Sequence, residues 1–220
     1  MSSYIASVLV SLVPGFVALA RIARRSSSAW LVAAVGGGGW LLAIALRMPL
    51  LSLLQTLIPG LTYLIAASIL AGVFEESTRS LILRASIARS GEVSGLLTIG
   101  LGWGLSEALL VYAIPVTLSA PVYGYDWVDL LPGALERNSA ILIHLSLTVL
   151  LSRNPRSARL LVASAVLHSL SNLAAVAALL VLEDAWLVEL VIATVSFSLF
   201  AGVALPTLKY LRKIHRDQIG

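Results

Sequence analysis

No cysteine occurs in the chain, so neither a disulfide framework nor a thiolate site can be built. Charge is scarce as well. Asp, Glu, Lys and Arg make up 12% of the residues, where a soluble globular domain carries about a quarter. That deficit excludes an ordinary water-soluble fold. The alternation of apolar and polar residues that membrane-barrel strands require is also missing. No low-complexity linker or internal repeat divides the sequence, so it reads as one domain over residues 1–220. What is present is apolar: 59% of the residues, in recurrent runs near the ~20 that a helix needs to cross the hydrocarbon core.

These runs predict an all-α polytopic bundle of about seven transmembrane helices, over residues 4–20, 29–46, 61–83, 95–115, 138–151, 160–182 and 186–205. The first run has no basic segment before it and is followed by Arg, so it reads as a retained span rather than a signal peptide. Residues 49–58 are apolar but too short to cross. With Pro59 and Gly60 after them, they read as an interfacial or re-entrant piece. Basic residues cluster after alternate runs: Arg21, Arg24 and Arg25; Arg84 and Arg89; Arg153, Arg156 and Arg159; Lys209, Arg212, Lys213 and Arg216. The other connections carry Arg47, then Asp126, Asp129, Glu136 and Arg137, then Glu183 and Asp184. By the positive-inside rule this pattern predicts a multi-pass cell-membrane protein, N-terminus outside and C-terminus cytoplasmic. The net charge of +4 is thus a topology signal rather than a nucleic-acid footprint, and the bilayer is the expected partner.

Seven polar residues are out of place in such spans: Glu75, Glu76 and Arg79 in the third, Glu107 in the fourth, His144 in the fifth, His168 and Asn172 in the sixth. A charge near a membrane helix centre costs about 2.5–3.5 kcal/mol on the insertion scale, so such residues face inward, find partners and mark functional sites. At about 1.5 Å rise per residue, Glu75 lies about 13 Å from Arg84, His168 as far from Arg159, and His144 about 12 Å from Ser152. Helices three to six thus deliver polar groups to one slab, in a core of about residues 61–182. Arg79 can pair with Glu75 (i,i+4) or Glu76 (i,i+3), and His168 and Asn172 share a face. Gly100 and Gly104 lie on the face of Glu107 at a close-packing spacing, which predicts that Glu107 meets a partner on a neighbouring helix.

Taken singly, the Glu75/Arg79 pair also reads as a structural ion pair that fixes helix packing, Glu107 and His144 as satisfied interhelical polar contacts, and Asn172 as packing. Together they suit activation of water. A buried glutamate can act as general base. Glu75, His144 and His168 can hold a zinc ion that acidifies the water; without metal, the histidines and Asn172 can orient water and stabilise an oxyanion. Either arrangement gives peptide hydrolysis within the membrane, on a membrane protein or peptide. Other intramembrane chemistries fit less well. No H-E-x-x-H is present, Gly104-Leu105-Ser106-Glu107 departs from the rhomboid G-x-S-G, no pair of membrane aspartates exists, and the last span has no Lys for retinal. The rival class is a proton- or metal-coupled transporter or channel, since carboxylate and histidine relays also serve ion paths.

Phe74-Glu75-Glu76-Ser77-Thr78-Arg79, then His144, then His168-x-x-x-Asn172 resemble, in order, the motifs of the glutamate-type intramembrane proteases, which include the type II CAAX prenyl proteases and the CPBP group. Gly100-Leu-Gly-Trp-Gly-Leu-Ser-Glu107, Glu136-Arg137 ahead of His144, and Leu167-His168 are similar to the YhfC-like branch of membrane metallopeptidases. PrsW is a more distant cousin. The resemblance spans Phe74 to Asn172. It implies an intramembrane endopeptidase in which Glu75, with His144, activates water, and His168 with Asn172 completes the site. It also admits an inactive relative that keeps the fold. In the prenyl-protease branch the Arg comes one residue later than Arg79 does here, so a prenylated substrate is not carried over.

Overall fold

The computed structural model describes residues 4–85 and 93–219, and seven helices account for nearly all of them. They are α1 Tyr4–Ala23, α2 Ser27–Leu57, α3 Leu61–Arg84, α4 Val93–Tyr123, α5 Trp127–Ser152, α6 Ala158–Val181 and α7. The last runs without a break through Ala185–Leu199, Phe200–Ala204 and Leu205–Ile219. Among the described residues there is no strand. Arg89 lies outside them, as do the side chains of Arg212 and Arg216. Six of the helices are long and apolar enough to cross a membrane; α3, which carries Glu75, Glu76 and Arg79, is the exception.

The ends are set by local chemistry. Ser26, Asp126, Ser157 and Asp184 each accept a backbone N–H from the first turn of the following helix, satisfying donors that the helix cannot. Gly124 ends α4 in the left-handed region at φ 71°, where a side chain would be strained.

Proline explains most of the boundary differences. Residues 49–58 are not a separate piece, because α2 runs straight through Pro49 to Leu57. Likewise α4 passes Pro115 and α5 begins at Trp127, before Pro132. In a membrane a freed carbonyl can be satisfied by local changes of helical pitch, so proline need not end a helix. Two such changes are present. The chain widens to a π-helical turn at Ala108–Ala113 and again at Phe200–Ala204, with Pro115 and Pro206 two residues beyond. Arg47, Glu136 and Arg137, assigned above to connections, therefore lie inside α2 and α5.

The molecule is apolar outside and polar within. Leu57, Leu118, Val122, Val181 and Leu190 are exposed, while Glu76, Arg79, Thr98, Thr148 and Ser164 are buried. Apolar exposure on this scale far exceeds what a soluble monomer tolerates, and it suits a lipid surround. Small residues let the polar helices close up. A Cβ at Gly104 would stand 2.8 Å from the Ile141 Cα, and one at Gly72 would stand 2.4 Å from the Ala165 carbonyl oxygen. These approaches bring α4 against α5 and α3 against α6. The helix ends that carry Arg84, Arg153 and Arg156 meet: Ser80 and Arg84 both donate to the Pro155 carbonyl, and the Arg153 guanidinium lies over the Tyr210 ring.

Candidate active site

All seven residues singled out from the sequence converge where α3, α4, α5 and α6 pack together. Arg79, fully buried, is the hub. Its Nη1 donates to Glu76 Oε1 at 2.5 Å and its Nη2 donates to His144 Nδ1 at 2.9 Å. The guanidinium carbon lies 4.4 Å from the Trp103 ring centroid, a cation–π contact between two fully buried side chains. Arg79 thus takes the nearer of its two candidate carboxylates. Glu75 is held instead by Arg47 Nη1, donating to Oε1 at 3.1 Å, and by Trp103 Nε1, donating to Oε2 at 3.2 Å.

The donors fix both histidines. A guanidinium only donates, so His144 Nδ1 accepts and its proton sits on Nε2. That nitrogen donates to Glu107 Oε2 at 2.6 Å. Glu107 in turn accepts from Arg137 Nη1 at 3.0 Å, and Arg137 also pairs with Glu136. The partner expected for Glu107 is therefore double, and both halves are on α5, the helix that Gly100 and Gly104 admit. On α6, His168 Nδ1 donates to Glu76 Oε1 at 2.8 Å. Its Nε2 is left facing Glu75 Oε2 at 4.0 Å. The two imidazole centroids are 5.3 Å apart, edge to face.

A cavity of about 280 Å³ covers this cluster, and Glu75, Glu107, His144, His168 and Asn172 line it. Glu76 and Arg79 do not; they lie beneath, where they orient the histidines. On each helix the lining runs from the cluster toward the end of the bundle that bears Leu57, Tyr123 and Val181: Glu75 to Ala71, His144 to Glu136, His168 to Ala175. Asn172 lines the wall and makes no hydrogen bond to a described residue.

Glu75, His144 and His168 each offer a ligand atom within 4.8 Å of the others, so the group can hold a metal ion. It would have to contract. Ligands about 2.1 Å from a tetrahedral zinc stand roughly 3.4 Å apart. One His144 nitrogen would also have to leave Arg79 or Glu107, because both are engaged.

The sequence reading gave no role to four partners. Arg47, Glu136 and Arg137 fell outside the apolar runs and so into connections, and Glu136-Arg137 and Trp103 entered only as members of quoted motifs. Only the unpaired charge of Glu75 and Glu107 pointed to the missing cations. Comparison of the sequence with known protein families and with curated proteins finds no match.

Proposed function

We propose that the chain is an intramembrane peptidase, crossing the bilayer seven times with its N-terminus outside and its C-terminus in the cytoplasm. The observation that carries the catalytic reading is the 4.0 Å gap between Glu75 Oε2 and His168 Nε2 at the floor of the cavity. A water molecule hydrogen-bonds at about 2.8 Å, so one water spans that gap and donates to both acceptors. Its oxygen lone pairs are then free to face the cavity. Glu75, fixed by Arg47 and Trp103, takes a proton as the water oxygen attacks a peptide carbonyl carbon. Asn172 supplies an amide donor on the wall for the oxyanion. The proton on Glu75 passes to the leaving amine as the C–N bond breaks.

The remaining residues hold this arrangement. Glu76 keeps the His168 proton on Nδ1, leaving the Nε2 lone pair toward the water. Arg79 and Glu107 together fix His144 in one tautomer beside it. A zinc ion on Glu75, His144 and His168 would acidify bound water, but the hydrogen-bonded reading needs no contraction and is preferred. Chelation is expected to leave cleavage unchanged. Loss of cleavage on chelation, restored by zinc, would transfer the reaction to the metal.

Proton transport through the same residues is disfavoured by Arg79. A guanidinium does not give up its proton, and here it stands between His144 and Glu76, so a relay from Glu107 to His168 is interrupted. A purified-protein assay tests the reading: wild type cleaves a membrane-spanning peptide, and Glu75→Ala and His168→Ala do not. Equal cleavage by all three sinks the assignment.

A further inference from the structure

Glu189, with Glu75 and Glu76 one of three buried carboxylates among the described residues, plays no part in that chemistry. It lies on α7, is 8% exposed, and accepts a single long hydrogen bond, from Ser139 Oγ at 3.3 Å to Oε1. Within the core, Arg47 is paired with Glu75, Arg79 with Glu76, and Arg137 with both Glu107 and Glu136. Five carboxylates thus share three guanidiniums, and among the described residues no cation is paired with Glu189. A buried carboxylate in a lipid-facing bundle calls for a counter-charge, and the cation whose charge reaches it, Arg137, is already engaged by Glu107 and Glu136.

Space for one is present. Glu189 and Glu136 line a second cavity of about 190 Å³, whose other walls include Pro132, Leu179, Val188 and Ile192. Glu136, Ala175 and Ile192 also line the cavity over Glu75, so the two spaces share a wall. A side pocket with aliphatic walls and carboxylates fits a long side chain with an apolar stem and a charged head. Leucine would fill the stem region and leave Glu189 unpaired. A glutamate would be repelled.

We propose that this pocket receives a lysine or arginine side chain of the substrate, near the bond placed over Glu75, and that Glu189 is its specificity-determining partner. This rests on the peptidase reading above for the identity of the ligand, not for the pocket. The test uses membrane-spanning peptides that differ only in Lys, Leu or Glu at the positions flanking the cleaved bond. Wild type is expected to cleave the Lys peptide at least tenfold better than the Leu peptide in kcat/KM. Glu189→Gln is expected to bring that ratio close to one, and Glu189→Lys to favour the Glu peptide. An unchanged ratio in Glu189→Gln, or no preference in wild type, overturns the proposal.

Binding separates it from the catalytic claim. With labelled peptides carrying an N-methylated, uncleavable bond, fluorescence anisotropy is expected to give the Lys peptide at least tenfold tighter binding than the Leu peptide. Tighter Lys binding without cleavage of any peptide keeps the pocket and removes the peptidase. Equal binding removes the pocket. Butylammonium should displace the Lys peptide from wild type at least tenfold more effectively than butanol, a readout that needs no variant to fold; equal displacement overturns the proposal.

Discussion

Arg79 shows how one buried side chain sets the state of its neighbours. It pairs with Glu76 through Oε1, dictates the His144 tautomer and covers Trp103. Removing one partner of a buried ion pair leaves the other charge uncompensated and costs about 3–5 kcal/mol. Arg79→Ala is therefore expected to lower the thermal midpoint in detergent by many degrees, whereas Asn172→Ala, which breaks no hydrogen bond to a described residue, should leave it nearly unchanged. Arg47 is a subtler case. Its guanidinium positions Glu75 without lying beneath the site, and misplacement of a catalytic group by about 1 Å can cost 100-fold. Arg47→Gln should lower kcat by about 10–100-fold with a smaller change in KM, and steady-state kinetics on one peptide checks this. The seven residues that converge were legible because charge, imidazole and amide groups in an apolar run are conspicuous. The pairing roles of Arg47 and Arg137 were not, because each lies just outside an apolar run and so fell in an expected connection. Glu189 went unremarked inside the last apolar run.

At the scale of the helix, the recurrent feature is how the chain accommodates proline and close approach. Helix type and approximate number followed from hydrophobic length. Helix ends did not, since Pro49, Pro115, Pro132 and Pro206 all lie inside helices that a water-soluble protein would have broken or kinked there. The glycine prediction held in detail: Gly100 and Gly104 face α5, and Glu107 finds His144 and Arg137 there. With a Cβ only 2.8 Å from Ile141 Cα, Gly104→Leu should push α4 from α5. Thermal denaturation and cleavage are expected to fall together, because the Glu107–His144 bond depends on that approach. Gly38, where a Cβ would meet nothing within 4 Å, should accept leucine with little loss of stability.

For the molecule as a whole, the polar core and apolar exterior follow from one constraint, that unpaired charge is expelled from lipid or enclosed. The chain encloses it: α3 to α6 carry the residues that the sequence marked, α2 adds Arg47 and α7 adds Glu189. The basic helix ends meet at one end of the bundle, and the cavity over Glu75 extends toward the other. In the proposed orientation, with the basic end cytoplasmic, the cavity faces the outer half of the bilayer. The absence of cysteine makes that orientation simple to check: single cysteines at Gly124 and Glu183 should react with an impermeant maleimide on intact cells, and one at Ser26 should react only after lysis. The reverse pattern would invert the molecule without altering its core.

The central claim is that Glu75 and His168 together activate a water for attack on a peptide bond. The most direct measurement is mass spectrometry of the products when a membrane-spanning peptide is incubated in water enriched in ¹⁸O. Wild type should yield one internal cleavage whose new C-terminal carboxyl carries a single ¹⁸O, and Glu75→Gln should yield none above background. Cleavage by Glu75→Gln at the wild-type rate, with the same label, would contradict the account.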